Sequence, residues 1–394
     1  MKTLYKIVFS GWRKGLACCS VYILGLISGL CLLIIYSCSP GGTKKVEHMG
    51  NVEQNLSKQD LMLKLDKAVA PYIDSGFVGV VLVADSGDVI LNKAYGKNGS
   101  KLNPNTAFWI ASNTKPVTAI AILKLAEEGR LSVKDSITKY FKNVPLGKKS
   151  ITIEQLLTHT SGLPSDFVCE GEQNRELAMK KILSQKLIAL PGKEFNYTND
   201  GYILLAAIIE KSSGIKYESY VRSSIFVRAG MTQSDFWGDA TAVVDPVSDS
   251  AQYQLFYSKI FKNGKTLENW NNKGAAGISS TTDDLYKLLV ALKEGRLLDK
   301  NSLQELFMPR VEVDQMNDAT LSYGYGWAIV HKKSQVVEIR HRGRGDWMHN
   351  NSIFLLPNDL IVMAWSKDPG PNTTNWSTEV CNSIIKDIMS VKEE

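Results

Sequence analysis

Phe108-Trp109-Ile110-Ala111-Ser112-Asn113-Thr114-Lys115-Pro116-Val117-Thr118-Ala119-Ile120-Ala121-Ile122-Leu123 sets a hydroxyl and an amine three residues apart at the mouth of an apolar run. Residues spaced by three share one helical face. Pro116 marks a helix start, because a missing N–H is tolerated only in the first turn. Ser112 is then expected at or near the N-cap, where free N–H groups and the helix dipole favour developing negative charge. The run from Val117 to Leu125 is apolar on almost every side and predicts a buried helix. A polar pair at the entrance of such a helix points to an activated nucleophile.

The spacing is not unique in the chain. Ser-x-x-Lys recurs at Ser136/Lys139, Ser213/Lys216 and Ser383/Lys386. Ser136 lies in a charged stretch, Ser213 in a Ser-Ser-Gly helix stop, and Ser383 in an amphipathic C-terminal helix. Only Ser112 opens onto an apolar helix.

The composition is that of a globular protein, with 44% hydrophobic and 22% charged residues in 394. The net charge of +6 comes from the first 45 residues, which hold Lys2, Lys6, Arg13, Lys14, Lys44 and Lys45 and no acid. The remaining 40 basic residues are matched by 40 acidic ones, which argues against nucleic-acid binding. Four of those bases precede residues 16–37, which carry no charge, and Cys38-Ser-Pro-Gly-Gly follows. That length and asymmetry predict a membrane segment with a cytoplasmic N-terminus. A lipid on Cys38 is the alternative, since Ile35-Tyr36-Ser37-Cys38 resembles a degenerate bacterial lipobox. Residues 1–38 are thus expected to be an anchor or signal segment, 39–57 a polar tether and 58–394 the folded domain. Oligomeric state is left open.

Four of the six cysteines fall in the N-terminal segment. Cys169 and Cys381 remain; two lone buried thiols are expected, with one disulfide as the alternative. No metal-ligand spacing or phosphate-cradling glycine loop occurs, so neither a metal nor another cofactor is expected.

Helical periodicity or apolar runs predict helices over 58–73, 116–128, 153–157, 174–184, 200–211, 282–292 and 374–389. Strands are expected over 77–84 and 89–94, joined across Asp85-Ser-Gly-Asp, and over 325–331, 336–340, 352–356 and 360–365. Strands at both ends around a helical middle, about 112–310, predict one α+β body with a helical insertion.

An amine activates a hydroxyl only where its proton affinity is lowered or shared, so further polar groups are expected beside Lys115. Tyr197-Thr198-Asn199 is the sole Tyr-x-Asn in the chain and stands at the mouth of a second apolar helix. Packing for Tyr197 and plain N-capping by Asn199 or Asp200 are the alternative readings. His341-Arg342-Gly343 follows a strand-like run, where a glycine permits close approach of a substrate to the backbone.

In that order these motifs resemble the serine β-lactamase and penicillin-recognising enzymes, whose group carries Ser-x-x-Lys. The resemblance is closest to the class C β-lactamase-related branch of D,D-peptidases, D-aminopeptidases and esterases. It extends over about residues 58–390, with support from Leu156-Leu-Thr-His-Thr-Ser-Gly-Leu-Pro164 and Gly274-Ala-Ala-Gly-Ile-Ser-Ser-Thr-Thr-Asp-Asp284. It implies an antiparallel sheet flanked by terminal helices, with an inserted helical subdomain. It also implies Ser112 as acylated nucleophile and Lys115 as its activator. Tyr197 becomes a proton shuttle, Asn199 a partner of Lys115 or substrate, and His341 an aid to Tyr197. The N–H groups of Ser112 and Arg344 would form the oxyanion hole.

Two departures bear on specificity. His341 stands where class C β-lactamases carry Lys, which lowers the fixed positive charge. Trp347 stands where the family often has a second glycine, and is expected to narrow the pocket. Arg342 and Arg344 are candidates for binding a substrate carboxylate, or else for surface pairs with Asp346 or Glu338. His159 and Ser161 are assigned to a turn beside the site. The expected protein is a serine hydrolase in the bacterial cell envelope, tethered with its catalytic domain outside the cytoplasm, acting on a cell-wall-type peptide, a β-lactam or a small ester. A noncatalytic sensor using the same pocket, or an envelope scaffold, are the competing readings.

Overall fold

The computed structural model describes residues 58–96, 102–165, 167–236, 261–262, 265–266, 269–345, 348–367 and 375–393. The segment expected to anchor the chain, and the tether after it, lie outside the described residues. No helix among the described residues is long and apolar enough to cross a membrane.

Helix α1 (Lys58–Asp74) leads into the hairpin β1 (Val78–Asp85) and β2 (Asp88–Tyr95). The turn residues Ser86 and Gly87 both have positive φ, at 54° and 91°. The insertion follows. It holds β3 (Phe108–Trp109), α2 (Thr114–Glu127), α3 (Ile153–Leu157), α4 (Arg175–Ser184), α5 (Asn199–Ser213) and α6 (Tyr217–Val221), which continues through a π turn, Arg222–Phe226. After β4 (Asp235–Phe236) and the β5–β6 hairpin (Phe261–Lys262, Lys265–Thr266) come β7 (Ile278–Ser280), α7 (Thr282–Lys293) and α8 (Lys300–Leu306). Strands β8 (Val311–Gln315), β9 (Thr320–Tyr323), β10 (Ala328–Lys332), β11 (Gln335–Gly345), β12 (Met348–Leu355) and β13 (Leu360–Lys367) then return to the sheet, and α9 (Trp376–Glu393) closes the chain.

The sheet order β2-β1-β13-β12-β11-β10-β9-β8 puts the N-terminal hairpin beside the last strand. Every pairing within it is antiparallel. Strand alternation separates two cores. Val80, Leu82, Ile339, Phe354, Ile361, Met363 and Trp365 pack against the insertion, where α2 and α5 are buried. Val81, Val83, Ile353, Val362 and Ala364 face the other way, against Leu65 and Val69 of α1 and Val380, Ile384 and Ile388 of α9. The result is a sheet with the insertion on one face and the terminal helices on the other, the α+β arrangement expected. Cys169 belongs to the first core and Cys381 to the second, and both thiols are free.

The strand expectations need correction in four places, one of them the start of β12 at Met348 and not Ser352. The strand expected over 325–331 begins at Ala328, because Gly326 turns with φ +76° and a Cβ there would lie 2.9 Å from the Lys115 carbonyl oxygen. β8 and β9 lie outside the expected strands; β8 is mostly exposed, and its alternation is carried by Val311 and Val313 alone. β11 runs five residues past Arg340, beyond the end of its pairing with β10. That unpaired edge carries the His-x-Gly segment.

Candidate active site

Ser112 lies in a 3-10 turn, Ala111–Asn113, that leads directly into α2. Asn113, not Ser112, holds the N-cap position. Ala111 has φ 44°, a left-handed conformation that strains any residue with a Cβ. Its neighbours hold it there: the Ile110 N–H donates to the Ile278 carbonyl at 2.9 Å, and the Asn113 N–H to the Ile110 carbonyl at 3.0 Å. The other Ser-x-x-Lys serines serve local structure. Ser136 caps a surface turn, Ser213 ends α5, and Ser383 lies 3.5 Å from the Ala68 carbonyl within the terminal-helix layer.

Lys115 is 0% exposed. Its Nζ is 2.7 Å from Asn199 Oδ1, 3.1 Å from the Ala275 carbonyl and 3.1 Å from Ser112 Oγ. Burial drives its proton affinity well below that of an ordinary lysine. The first two partners can only accept, so each takes one N–H of the amine. The third N–H points at Ser112 Oγ, so that loss of its proton, which burial favours, leaves a lone pair aimed at the hydroxyl. This is the arrangement of a general base on its nucleophile.

Tyr197 and Asn199 reach the same spot from the start of α5. Asn199 does not act as a cap: that position belongs to Thr198, whose hydroxyl donates to the Pro164 carbonyl at 2.7 Å. Asp200 is also no cap, and accepts from Gln185 Nε2 at 2.6 Å. The Lys115 amine sits 4.7 Å from the centre of the Tyr197 ring and 5.6 Å from that of Tyr202. Part of the Tyr197 ring reaches solvent, but burial of the hydroxyl end raises its proton affinity against a hydrogen bond with Ser112. Tyr197 is therefore a neutral phenol at physiological pH.

The Thr158-His-Thr-Ser-Gly-Leu-Pro164 segment does more than turn. His159, with φ 58°, stacks against Tyr197 at 4.2 Å, against Tyr323 at 4.8 Å and against Tyr202 at 5.1 Å. Its Nδ1 accepts the Thr198 N–H at 3.1 Å, so the ring proton resides on Nε2. Burial, then the repulsion that a proton would meet from protonated Lys115 or His341, pushes its proton affinity well below the usual histidine value. His159 fixes the plane of Tyr197 and stays uncharged.

His341 stands on the insertion-facing side of β11, in step with Ile339 and Gly343. Its Nδ1 is 3.0 Å from the Arg342 carbonyl and its Nε2 3.1 Å from Tyr323 Oη. Burial and the nearby Lys115 push it down to about 3. Neither ring nitrogen is hydrogen-bonded to Tyr197. Asn113 ties this strand to the nucleophile turn: its amide donates to the His341 carbonyl at 3.2 Å and accepts the Gly343 N–H at 3.0 Å. A Cβ on Gly343 would lie 2.2 Å from the Ile110 carbonyl oxygen. The close approach that demands glycine here is by the protein's own backbone.

Arg342 is not brought to the site. Alternation turns it to the terminal-helix face, where its electrostatic neighbours are Arg340, Glu338 and Cys381. On that face Glu338 pairs with Arg340 at 3.0 Å. Arg344 has the same strand parity as Arg342 and is exposed near the strand end. Trp347 and Asp346 lie outside the described residues.

Asn113, His159, Tyr202, the Ala275 carbonyl and Tyr323 are site components that motif spacing alone did not assign. Gly274-Ala275 was visible only as a loose signature. Its structural demand is plain, since a Cβ on Gly274 would meet the Tyr202 carbonyl oxygen at 2.4 Å. No cluster of three or more His, Cys, Asp or Glu side chains suited to a metal occurs among the described residues.

Comparison with known proteins gives the family and the fold. A penicillin-binding protein of Bacillus subtilis (strain 168) is 29% identical over 291 residues, 68% of this chain and 63% of the relative. The putative penicillin-binding protein PbpX of the same organism is 30% identical over 263 residues, 64% of this chain and 62% of its own length. The chain thus spans less than two thirds of the length of these relatives. The structure of D-amino acid amidase from Ochrobactrum anthropi SV3 shares the fold at a TM-score of 0.66 and 21% identity, over 85% of this chain and 99% of that one. The octameric penicillin-binding protein homologue from Pyrococcus abyssi does so at 0.65 and 23%, over 85% and 78%. The Beta-lactamase family profile matches residues 65–375, and the chain belongs to that family of serine hydrolases.

Proposed function

We propose that this protein is an exported, membrane-tethered serine hydrolase that works through an acyl-enzyme on Ser112. The observation that carries the reading is the Lys115 environment: a buried amine that donates to Asn199 Oδ1 and the Ala275 carbonyl, with Ser112 Oγ at 3.1 Å. As Ser112 Oγ bonds to the substrate carbonyl carbon, its proton passes to Lys115 Nζ. The carbonyl oxygen gains negative charge, which the N–H groups of Ser112 and Arg344 would stabilise. The Gly343 N–H is committed to Asn113 and does not serve. When the tetrahedral intermediate collapses, the bond to the leaving group breaks and Tyr197 delivers the proton that this group needs. Water then attacks the acyl-enzyme by the reverse proton route and releases Ser112.

The substrate we favour is a cell-wall-type peptide or amide, or a small ester, ahead of a β-lactam. An uncharged His341 on the strand wall offers no fixed cation to a substrate carboxylate, and Arg342 faces the other way. Trp347 would narrow the same wall. The 22 uncharged residues 16–37, behind four bases, support a membrane tether, with a lipid on Cys38 as the alternative attachment. They also support placement of the catalytic domain on the outer side of the cytoplasmic membrane.

Labelling tests the reaction. A fluorophosphonate or a fluorescent penicillin is expected to modify the protein at Ser112, and Ser112→Ala to abolish the label. Equal labelling of the Ala variant overturns the assignment; no labelling of the wild type by any acylating probe favours a noncatalytic binder. A panel of esters, D-amino acid amides and a chromogenic β-lactam then ranks the substrates.

A further inference from the structure

Both ring nitrogens of His341 are engaged, one within its own motif and one by a residue outside all three motifs. The Arg342 carbonyl can only accept, so His341 Nδ1 carries the ring proton and donates to it at 3.0 Å. Nε2 is then an acceptor, and Tyr323 Oη at 3.1 Å is its hydrogen-bond partner, a hydroxyl that it shares with Tyr202. Tyr323 is itself 4% exposed and held by the His159 ring at 4.8 Å and the Phe195 ring at 5.6 Å. Burial keeps its proton affinity well above that of a free phenol, so it remains a donor. The groups packed around this pair are Lys115 of α2, His159 after α3, Tyr197 before α5 and Tyr202 on α5. None of them is a carboxylate that could hold a proton on His341.

We propose that Tyr323 is a positioning residue: by occupying His341 Nε2 it removes His341 from proton transfer, and leaves Lys115 and Tyr197 to move the protons at Ser112. His341 acts instead as a strut. Its ring joins β11 to Tyr323, while its carbonyl joins the same strand to Asn113 beside the nucleophile. A hydrogen bond donated to the neutral form of a base opposes its protonation, so geometry and burial act in one direction. The inference rests on the acyl-enzyme reading for its kinetic part only.

The experiment is a double-mutant cycle on Ser112 acylation in the full chain, with a fluorophosphonate as probe. Tyr323→Phe and His341→Asn are each expected to slow labelling about tenfold, and the double variant by about tenfold again in total, because one linkage is broken in all three. Multiplicative losses near a hundredfold in the double variant overturn the linkage, as does a Tyr323→Phe rate equal to wild type. A second measurement does not depend on folding of the variants or on turnover. Exchange of the His341 C2 proton in the wild type, followed by mass spectrometry from pH 5 to 9, is expected to show no inflection. A titration of His341 within that range overturns the proposal even where acylation proceeds. Failure of the wild type to acylate with His341 still untitrated overturns the proposed function and leaves the Tyr323–His341 linkage standing.

Discussion

Strand β11 sends alternate side chains into two unlike environments. Ile339, His341 and Gly343 enter a layer where a lysine, two histidines and several tyrosines are buried around one serine. Glu338, Arg340 and Arg342 enter the layer of α1 and α9, where the buried groups are almost all aliphatic and the charges lie at the margin. Burial of polar groups costs free energy unless each finds a partner, and hydrophobic packing on the other face carries no such demand. The comparison separates two duties of one sheet. The terminal-helix face holds the strands together, and the insertion face orients Lys115 and its neighbours and disfavours their charged forms.

The largest effect expected on the insertion face is chemical. Lys115→Met removes the base on Ser112 and is expected to slow acylation by about 10²–10⁴-fold, the range for a positioned proton acceptor. Stopped-flow labelling measures it; a loss below about threefold would show that the serine finds its base elsewhere. On the opposite face, Ile384→Ala is expected to cost about 2–5 kcal/mol in urea unfolding, because a fully buried side chain leaves a cavity between α9 and the sheet. The acylation rate of its folded fraction should match wild type. A parallel loss of rate would mean that the two faces are not separable.

Gly343→Ala lies between these extremes. Its Cβ would press on the Ile110 carbonyl oxygen, forcing β11 away from the nucleophile turn. We expect about 3 kcal/mol of destabilisation, the upper part of the range for overpacking, together with slower acylation. An unchanged melting temperature would disprove the close contact.

The two faces also predict a pH signature. His341 and His159 are neutral when folded and have depressed proton affinities, whereas in the unfolded chain they titrate near 6.5. Below that value the unfolded state binds protons that the folded state does not, so stability falls as pH falls. Between pH 7 and 5 His341 contributes a loss of about 2 kcal/mol, and His159 a loss of the same sign. Carboxylates stay ionised in both states over this window and contribute little. Equal urea midpoints at pH 7 and pH 5 would contradict the buried neutral histidines.

Much of this division was readable from the chain. The period-2 strands at both ends and the apolar runs after Ser112 and Asn199 specify the sheet, the insertion and the positions of two motifs. Helix α3 falls on its expected residues, and α2, α5 and α7 begin within two residues of theirs. The reach of β11 to Gly345 was not readable, because His-Arg-Gly-Arg-Gly has no apolar alternation; it is held on one side by β12 and on the other by the Asn113 amide. Asn113, Tyr323 and the Ala275 carbonyl were missed for a related reason. Each acts through contacts with residues distant in the chain, and no local spacing encodes such contacts. For Arg342 the sequence left two readings, a substrate carboxylate or a surface pair with Asp346 or Glu338, and strand alternation sets it on the face of Glu338.

Arg342→Ala gives the smallest expected effect and the sharpest test of the two-face division. The side chain is one residue from His341 and carries a charge, so adjacency alone predicts impaired binding of any substrate with a carboxylate. Alternation predicts otherwise, since the guanidinium lies beside Glu338 and Cys381 with the full thickness of the sheet between it and Ser112. An exposed arginine of this kind changes stability by only about 0.5 kcal/mol when truncated. We expect kcat/KM to stay within about twofold of wild type for a carboxylate-bearing substrate and for its neutral ester alike. A loss confined to the carboxylate-bearing member of that pair would place Arg342 in the binding site and undo the separation of the faces.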